Sequence, residues 1–310
     1  MTDQAGGRSC LKTGCLVLVG CLGLGVMIVA LVAGLAWMKA SSSKPESQVL
    51  TRPVPEQPIP PSALAADLPQ EGILPKGGRV VLNLSEAEFQ IEPGPPGEPI
   101  RVEASYDRAS GELEEIFEPG DAGSWTYSLR FKRDLGFLAK MFEGMAGKTP
   151  KVRVLIPPDV PIDLDIDLSE GEGLVRLGGL WLTSADLTFS MGGVEMSIDE
   201  PLKEPIESLS IKASMGGGSF RSLGNASPRR LDVDISMGGM DLDLTGRWLR
   251  DAEIQIRQSM GGAGVTLPDG VIIEGIDHPR TGRQASSKEI PLPVLRFTVS
   301  SEMGELKFND

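Results

Sequence analysis

The sequence predicts an all-β fold, and three observations specify it as a single-stranded β-solenoid of about seven units of ~23 residues each. The tetrapeptide Ser-Met-Gly-Gly occurs four times, beginning at Ser190, Ser214, Ser236 and Ser259. Apolar and polar residues alternate on both sides of each copy, which is typical of strands with one buried face. The same alternation surrounds Ser85, Ser169 and Ser300. A fixed period of this size indicates stacked structural repeats.

Each predicted unit consists of a strand, a glycine-rich corner, a second strand and a looser return. Around Ser236, the apolar residues Leu231, Val233 and Ile235 precede the corner and Met240 follows it. Neither strand can bury its apolar face alone, so the units must stack and share a core. An antiparallel sandwich is the second choice, because alternation does not encode strand direction. The predicted corner residues are Ser190, Met191, Gly192, Gly193, Ser214, Met215, Gly216, Gly217, Ser236, Met237, Gly238, Gly239, Ser259, Met260, Gly261 and Gly262.

Residues 15–38 are uncharged and apolar, and they predict one transmembrane helix behind a short cytoplasmic segment at 1–14. At 1.5 Å per residue such a helix is about 36 Å long, which exceeds a hydrocarbon core of about 30 Å. Two alternatives are less favoured. Cys21 fits a lipidation motif, but most of the apolar run follows it instead of preceding it. A cleavable signal ending near Gly34-Leu35-Ala36 would have an unusually long apolar core.

Two further segments flank or interrupt the predicted repeats. Residues 39–78 are rich in proline and predict a semi-rigid linker, because such density disfavours helices and central strands. Residues 79–310 then form the predicted solenoid domain. Within it, residues 134–145 have apolar positions at helical spacing, which predicts a short helix capping an open strand edge.

The composition excludes several functions. A net charge of −13 argues against nucleic-acid binding, which requires clustered lysine and arginine. His278 is the single histidine of the chain, so multi-histidine metal sites are excluded. His278 lies in a loop at 268–293 that interrupts the repeat, and we interpret this loop as a plain surface loop or a partner contact. No catalytic residues and no cofactor are predicted, and the protein is not expected to be an enzyme.

Two repeated side-chain types suggest metal ligands, and neither is assigned as a site. The methionines of the tetrapeptides could form a ladder of soft thioether ligands for Cu(I), but packing at an irregular corner is favoured. Seven aspartates that alternate with core aliphatic residues are expected to point outward, where stacked carboxylates could hold Ca²⁺. They are Asp163, Asp165, Asp167, Asp232, Asp234, Asp241 and Asp243. Neighbouring units place Lys212 and similar polar residues at matching positions, which favours cross-strand charge pairing instead.

The corner pattern resembles a known family. Ser-x-Gly-Gly corners between alternating strands, together with Val152–Pro157 and Pro161–Leu164, are similar to the bacterial putative-adhesin β-solenoid domain, a family of largely unknown function. The similarity covers about residues 79–310. Members of that family usually carry Ser-Gly-x at the corner, whereas this chain inserts a methionine. The resemblance implies a non-catalytic module associated with the cell envelope.

The expected function is therefore non-enzymatic binding, adhesion or scaffolding by a single-pass membrane protein whose repeat domain lies outside the cytoplasm. The expected partners are the membrane and an unknown protein or envelope polymer, with homo-oligomers formed through a sheet edge or the transmembrane helix. A regulatory module that senses the envelope through a membrane partner is the alternative. A carbohydrate-active enzyme is a third class and would require acids clustered in a groove.

Overall fold

The computed structural model of the chain describes residues 46–52, 77–108, 111–133, 149–277 and 292–309. These residues form one sheet of 14 strands. The strands are β1 (Glu46–Arg52), β2 (Gly78–Pro93), β3 (Ile100–Tyr106), β4 (Gly111–Pro119), β5 (Trp125–Arg133), β6 (Lys151–Ile156), β7 (Ile162–Arg176), β8 (Leu182–Phe189), β9 (Gly192–Ser197), β10 (Ser208–Arg221), β11 (Arg230–Asp243), β12 (Ala252–Thr266), β13 (Ile272–Glu274) and β14 (Val294–Asn309).

The sheet has a parallel part and an antiparallel part. From β7 through β8 and β9 to β10, β11, β12 and β14, every neighbouring pair is parallel. β2 pairs in parallel with β5, β6 and β7. Three pairs, β1 with β3, β3 with β6 and β4 with β5, are antiparallel. The described residues are thus all-β, as predicted, in a mixed sheet.

The prediction of a single-stranded solenoid of about seven equal units is wrong. The regular interval holds only between β7 and β12, where Asp163 pairs with Ser184, Ser184 with Ser208, Ser208 with Arg230, and Arg230 with Glu253. After β2, the chain forms the antiparallel strands β3 and β4 before it returns to the parallel sheet. The physical reason is that alternation reports which face of a strand is buried and carries no information on the direction of its partner.

The two predicted helices are not part of the described fold. Neither the transmembrane helix at 15–38 nor the capping helix at 134–145 falls on described residues. In the described ranges, helical structure is limited to short 3-10 turns such as Leu223–Ala226. A search of those ranges found no helix with the length and apolarity needed to cross a membrane.

The core consists of the alternating apolar residues that the sequence indicated. On β11, Leu231, Val233 and Ile235 are buried before the tetrapeptide, and Met240 and Leu242 are buried after it. Equivalent residues of neighbouring strands pack above and below them because the strands are in register. Apolar burial of this kind is the main favourable term in folding.

Gln258 interrupts this apolar pattern on β12. The structure nevertheless buries its side chain, and neither amide atom has a hydrogen-bond partner among the described residues. A buried, unpaired polar group costs about 1–3 kcal/mol. Gln258 therefore lowers the stability of the fold locally, within a row of side chains that is otherwise apolar.

Glycine at the third position of each tetrapeptide is required by the close stacking of the backbone. These third-position glycines are Gly192, Gly216, Gly238 and Gly261. Gly216 has φ of 133°, which disfavours any residue with a Cβ, and a Cβ there would overlap the carbonyl oxygen of Gly192. Gly238 and Gly261 have the same conflict with the strand before them.

We expect Gly216→Ala to lower the free energy of unfolding by more than about 1 kcal/mol, because alanine tolerates neither the φ angle nor the backbone contact. Gly193→Ala is the matched control, since a Cβ on Gly193 would meet nothing within 4 Å. The control should be neutral or stabilising by about 0.5–1 kcal/mol. Urea unfolding of both variants checks the prediction, and equal effects of the two substitutions would contradict it.

Candidate functional site

The tetrapeptides lie side by side in the sheet. Met215 pairs with Met237, Met237 with Met260, and Met260 with Met303 of β14. Met191 joins the same row, since the Met215 N–H donates to the Ser190 carbonyl at 2.8 Å. The structure thus brings all the predicted corner residues together, and it adds Met303 and Gly304, which the sequence search for the full tetrapeptide did not find.

The fourth-position glycines, unlike the third-position ones, are not required by the fold. These are Gly193, Gly217, Gly239 and Gly262. None of them has a φ in the left-handed region. A Cβ on Gly217 would lie 3.4 Å from the nearest atom, and the other three have more space. Glycine in a strand is destabilising by about 0.5–1 kcal/mol relative to alanine. By these two criteria, the fold does not require glycine at any of the four positions.

These four glycines form part of the floor of a groove of 1520 Å³. The groove crosses the neighbouring strands β1, β3, β6, β2, β7, β9, β10, β11, β12 and β14. Nine strand spacings of about 4.8 Å give a length of about 43 Å. Because the glycines lack side chains, the backbone of β9 to β12 is open to a ligand along this line.

Acidic side chains outnumber basic ones along the groove. The acids are Glu88, Glu103, Glu172, Glu195, Asp241 and Glu305, and the bases are Lys151, Arg153 and Lys307. Lys307 pairs with Glu305 at 3.1 Å, and Lys151 pairs with Glu88. Glu172 and Asp241 have no salt-bridge partner among the described residues. The groove therefore favours a cationic ligand over an anionic one.

A buried carboxylate on β2, that of Glu92, supports the part of the groove formed by β2, β3 and β6. The Arg153 Nε donates to Glu92 Oε1 at 2.7 Å, Arg176 Nη1 donates to Oε2 at 3.2 Å, and Gln90 Nε2 donates to Oε2 at 2.8 Å. Burial raises the pKa of Glu92, but the hydrogen bonds from Arg153, Gln90 and Arg176 outweigh it and hold that pKa below its ordinary value of 4.5. Arg153 also donates to Glu103 at 3.3 Å, so the network fixes groove-lining side chains of β2, β3 and β6.

The methionine side chains at the corners are covered only in part. Met191, Met215, Met237 and Met260 are 39–42% exposed, and Met303 is 67% exposed. Met196 and Met240 occupy apolar positions of the alternating pattern and are buried, whereas the pattern gave no exposure for the corner methionines. All five exposed methionines lie outside the residues that line the groove.

Two of the predicted outward-facing aspartates, Asp165 and Asp234, form salt bridges with a neighbouring strand, whereas Asp163 accepts a hydrogen bond from the Ser184 hydroxyl. Arg257 Nε lies 3.3 Å from Asp234 Oδ2, and Arg79 Nη2 lies 3.1 Å from Asp165 Oδ2. Within the described ranges, no group of three or more histidine, cysteine, aspartate or glutamate side chains is arranged to hold a metal ion. His278 and most of the 268–293 loop lie outside the described residues.

Sequence reasoning missed the strand that closes one end of the groove. Ser47, Gln48 and Val49 of β1 line the groove, yet they fall in the segment assigned to the proline-rich linker. β1 pairs with β3 over seven residues. β1 has no apolar–polar alternation, because the apolar residues Val49 and Leu50 are consecutive, and only Leu50 packs against the core.

Comparisons with known proteins identify no family for the chain. No protein-family model matches it, and no curated protein matches it. A solved structure of a putative cell adhesion protein from Clostridium sporogenes is similar, with 12% identity, a TM-score of 0.40, and coverage of 86% of this chain and 99% of that chain. A putative adhesin from Bacteroides fragilis is similar with 8% identity, a TM-score of 0.31, and coverage of 86% and 98%. Both TM-scores lie below 0.5, so neither likeness identifies a function for this chain.

We expect the Glu92 network to make stability depend on pH. Because the folded-state pKa of Glu92 is lowered, its contribution is present above the ordinary value of 4.5 and is lost as the pH falls through the folded-state pKa. Glu92→Gln should lower the free energy of unfolding by about 1 kcal/mol at neutral pH, since the arginine ends of the network are partly in water. Urea unfolding at neutral and acid pH should show that the difference in unfolding free energy between the parent protein and Glu92→Gln becomes smaller as the pH falls.

Glu88→Gln is the matched control, because the pair of Glu88 with Lys151 is exposed. Exposed pairs of this kind contribute little, so the control should change stability by less than about 0.5 kcal/mol. A Glu92→Gln difference that stays constant from neutral to acid pH would show that the carboxylate is not stabilised as described.

Proposed function

We propose that this protein is a non-enzymatic adhesion protein displayed outside the cell, and that it binds an extended polypeptide segment along the groove. The observation that carries the proposal is the row of fourth-position glycines. The fold does not require glycine there, and each one leaves the groove floor open. A repeated residue with no packing role is better explained by contact with a ligand.

The dimensions of the groove favour a linear ligand. A channel about 43 Å long takes about 13 residues of extended chain at about 3.3 Å per residue. The backbone amides and carbonyls of β9 to β12 already pair within the sheet. An extended ligand would therefore lie across the strands and contact the glycine floor by close packing, with its side chains directed to the charged walls.

The charge of the groove favours a basic polypeptide. The surplus of carboxylates attracts lysine and arginine side chains and repels anionic polymers, including nucleic acids and acidic glycans. Glu172 and Asp241 lie on either side of the glycine-rich strands β9 and β10. Nothing in the described residues favours a regulatory module that acts through a membrane partner.

The test uses the full chain and a fluorescein-labelled peptide of about 12 residues that alternates lysine and threonine. Gly217→Gln combined with Gly239→Gln fills the floor without a change of charge. We expect fluorescence anisotropy to show at least about a tenfold loss of affinity, equivalent to ~1.4 kcal/mol. A matched peptide that alternates glutamate and threonine should not bind.

The control variant combines Ser210→Gln with Thr188→Gln, two half-buried strand positions that do not line the groove. Its affinity for the basic peptide should equal that of the parent protein. Equal losses in both variants, or no binding of the basic peptide by the parent, would overturn the proposal. If an uncharged oligosaccharide binds the parent protein and only the glycine variant abolishes that binding, the ligand of the groove is a glycan and not a peptide.

A further inference from the structure

Five methionines form an uninterrupted row across neighbouring strands. Met191, Met215, Met237, Met260 and Met303 occupy one register position from the end of β8 to β14. The chain has 12 methionines, so nearly half of them stand in this single row. A position that only needed an apolar side chain would be expected to vary among leucine, valine and isoleucine, as the core rows do.

The row is open to solvent on every strand. The exposed fraction of these side chains is between 39% and 67%, whereas Met196 and Met240 on the same strands are buried. Two residues after each of the first four methionines comes a fourth-position glycine, which has no side chain to cover the thioether. The five sulfurs therefore belong to side chains that solutes can reach.

The spacing of the strands suits a soft metal ion shared between neighbouring thioethers. The bond from zinc to a cysteine sulfur is about 2.3 Å long, and on that scale two sulfurs on opposite sides of one ion lie about 4.6 Å apart. Neighbouring strands are about 4.8 Å apart, and methionine has three rotatable bonds with which to adjust. Thioethers are soft ligands that select Cu(I) over hard cations such as Mg²⁺ or Ca²⁺.

The two strands that precede the methionine row in the sheet, β2 and β7, have no methionine at this register position. At the corresponding position, β2 carries Glu86 and β7 carries Glu170, both with left-handed φ angles of 56° and 59°. None of the five methionines has a positive φ. The change from glutamate to methionine therefore coincides with a change in the backbone. At the other end of the row, the exposed Glu302 directly precedes Met303 on β14.

We propose that the methionine row is a binding site for Cu(I), in which each ion is held between thioethers of neighbouring strands. The site lies outside the groove and is independent of peptide binding. Binding involves no change of oxidation state and only replaces water or weak ligands on the ion. Ag(I) has the same charge and the same preference for sulfur, so it serves as a probe that does not undergo redox chemistry.

The experiment uses the full chain with Cys10, Cys15 and Cys21 replaced by serine, because thiolates would otherwise bind the probe. Isothermal titration with Ag(I) should detect binding in this parent protein. The combination Met215→Leu, Met237→Leu and Met260→Leu should weaken the binding at least about tenfold, because leucine keeps the size and removes the sulfur. Met196→Leu combined with Met240→Leu is the matched control and should bind like the parent.

A second readout does not depend on the folding of any variant. With ¹³C-labelled methionine methyl groups, Ag(I) should shift the NMR signals of the exposed methionines and leave those of Met196 and Met240 unchanged. The proposal is overturned if saturating Ag(I) shifts none of the exposed methyl signals. It is also overturned if the triple leucine variant, still folded, binds Ag(I) as tightly as the parent does.

Discussion

In-register stacking of the backbone at the tetrapeptides is the constraint on which the rest of the structure depends. At Gly216 and Gly238, one strand approaches the next so closely that a Cβ would overlap a carbonyl oxygen. This approach places equivalent residues of β10, β11 and β12 beside each other. The buried apolar rows, the glycine floor of the groove and the methionine row all follow from that single alignment.

The sequence predicted burial far better than it predicted topology. The alternation around Ser236 correctly identified Leu231 and Val233 as core residues, because a period of two fixes which side chains face inward. The antiparallel strands β3 and β4 were not recognised in the sequence, and alternation could not have given their direction because antiparallel and parallel strands share it. β1 was missed because its seven residues have no apolar–polar alternation.

The two glycines of each tetrapeptide look equivalent in the sequence and differ in the structure. Gly238 is required by its φ angle and its backbone contact, whereas Gly239 has neither constraint. Only the structure separates the glycine that the fold requires from the one that it does not. The methionines differ as well, since Met240 of the alternating pattern is buried and Met237 at the corner is exposed. The repeats that form the candidate binding surfaces were therefore visible in the sequence. Which of their residues are exposed or constrained became clear only from the structure.

An adhesion role requires that the sheet face the outside of the cell, and cysteine accessibility in intact cells tests this most directly. Thr298 is exposed on β14 and does not line the groove. Thr298→Cys is introduced into a chain whose Cys10, Cys15 and Cys21 are replaced by serine, and a membrane-impermeant maleimide is added before or after lysis. We predict full labelling before lysis. Labelling that appears only after lysis would contradict display at the cell surface and end the case for adhesion.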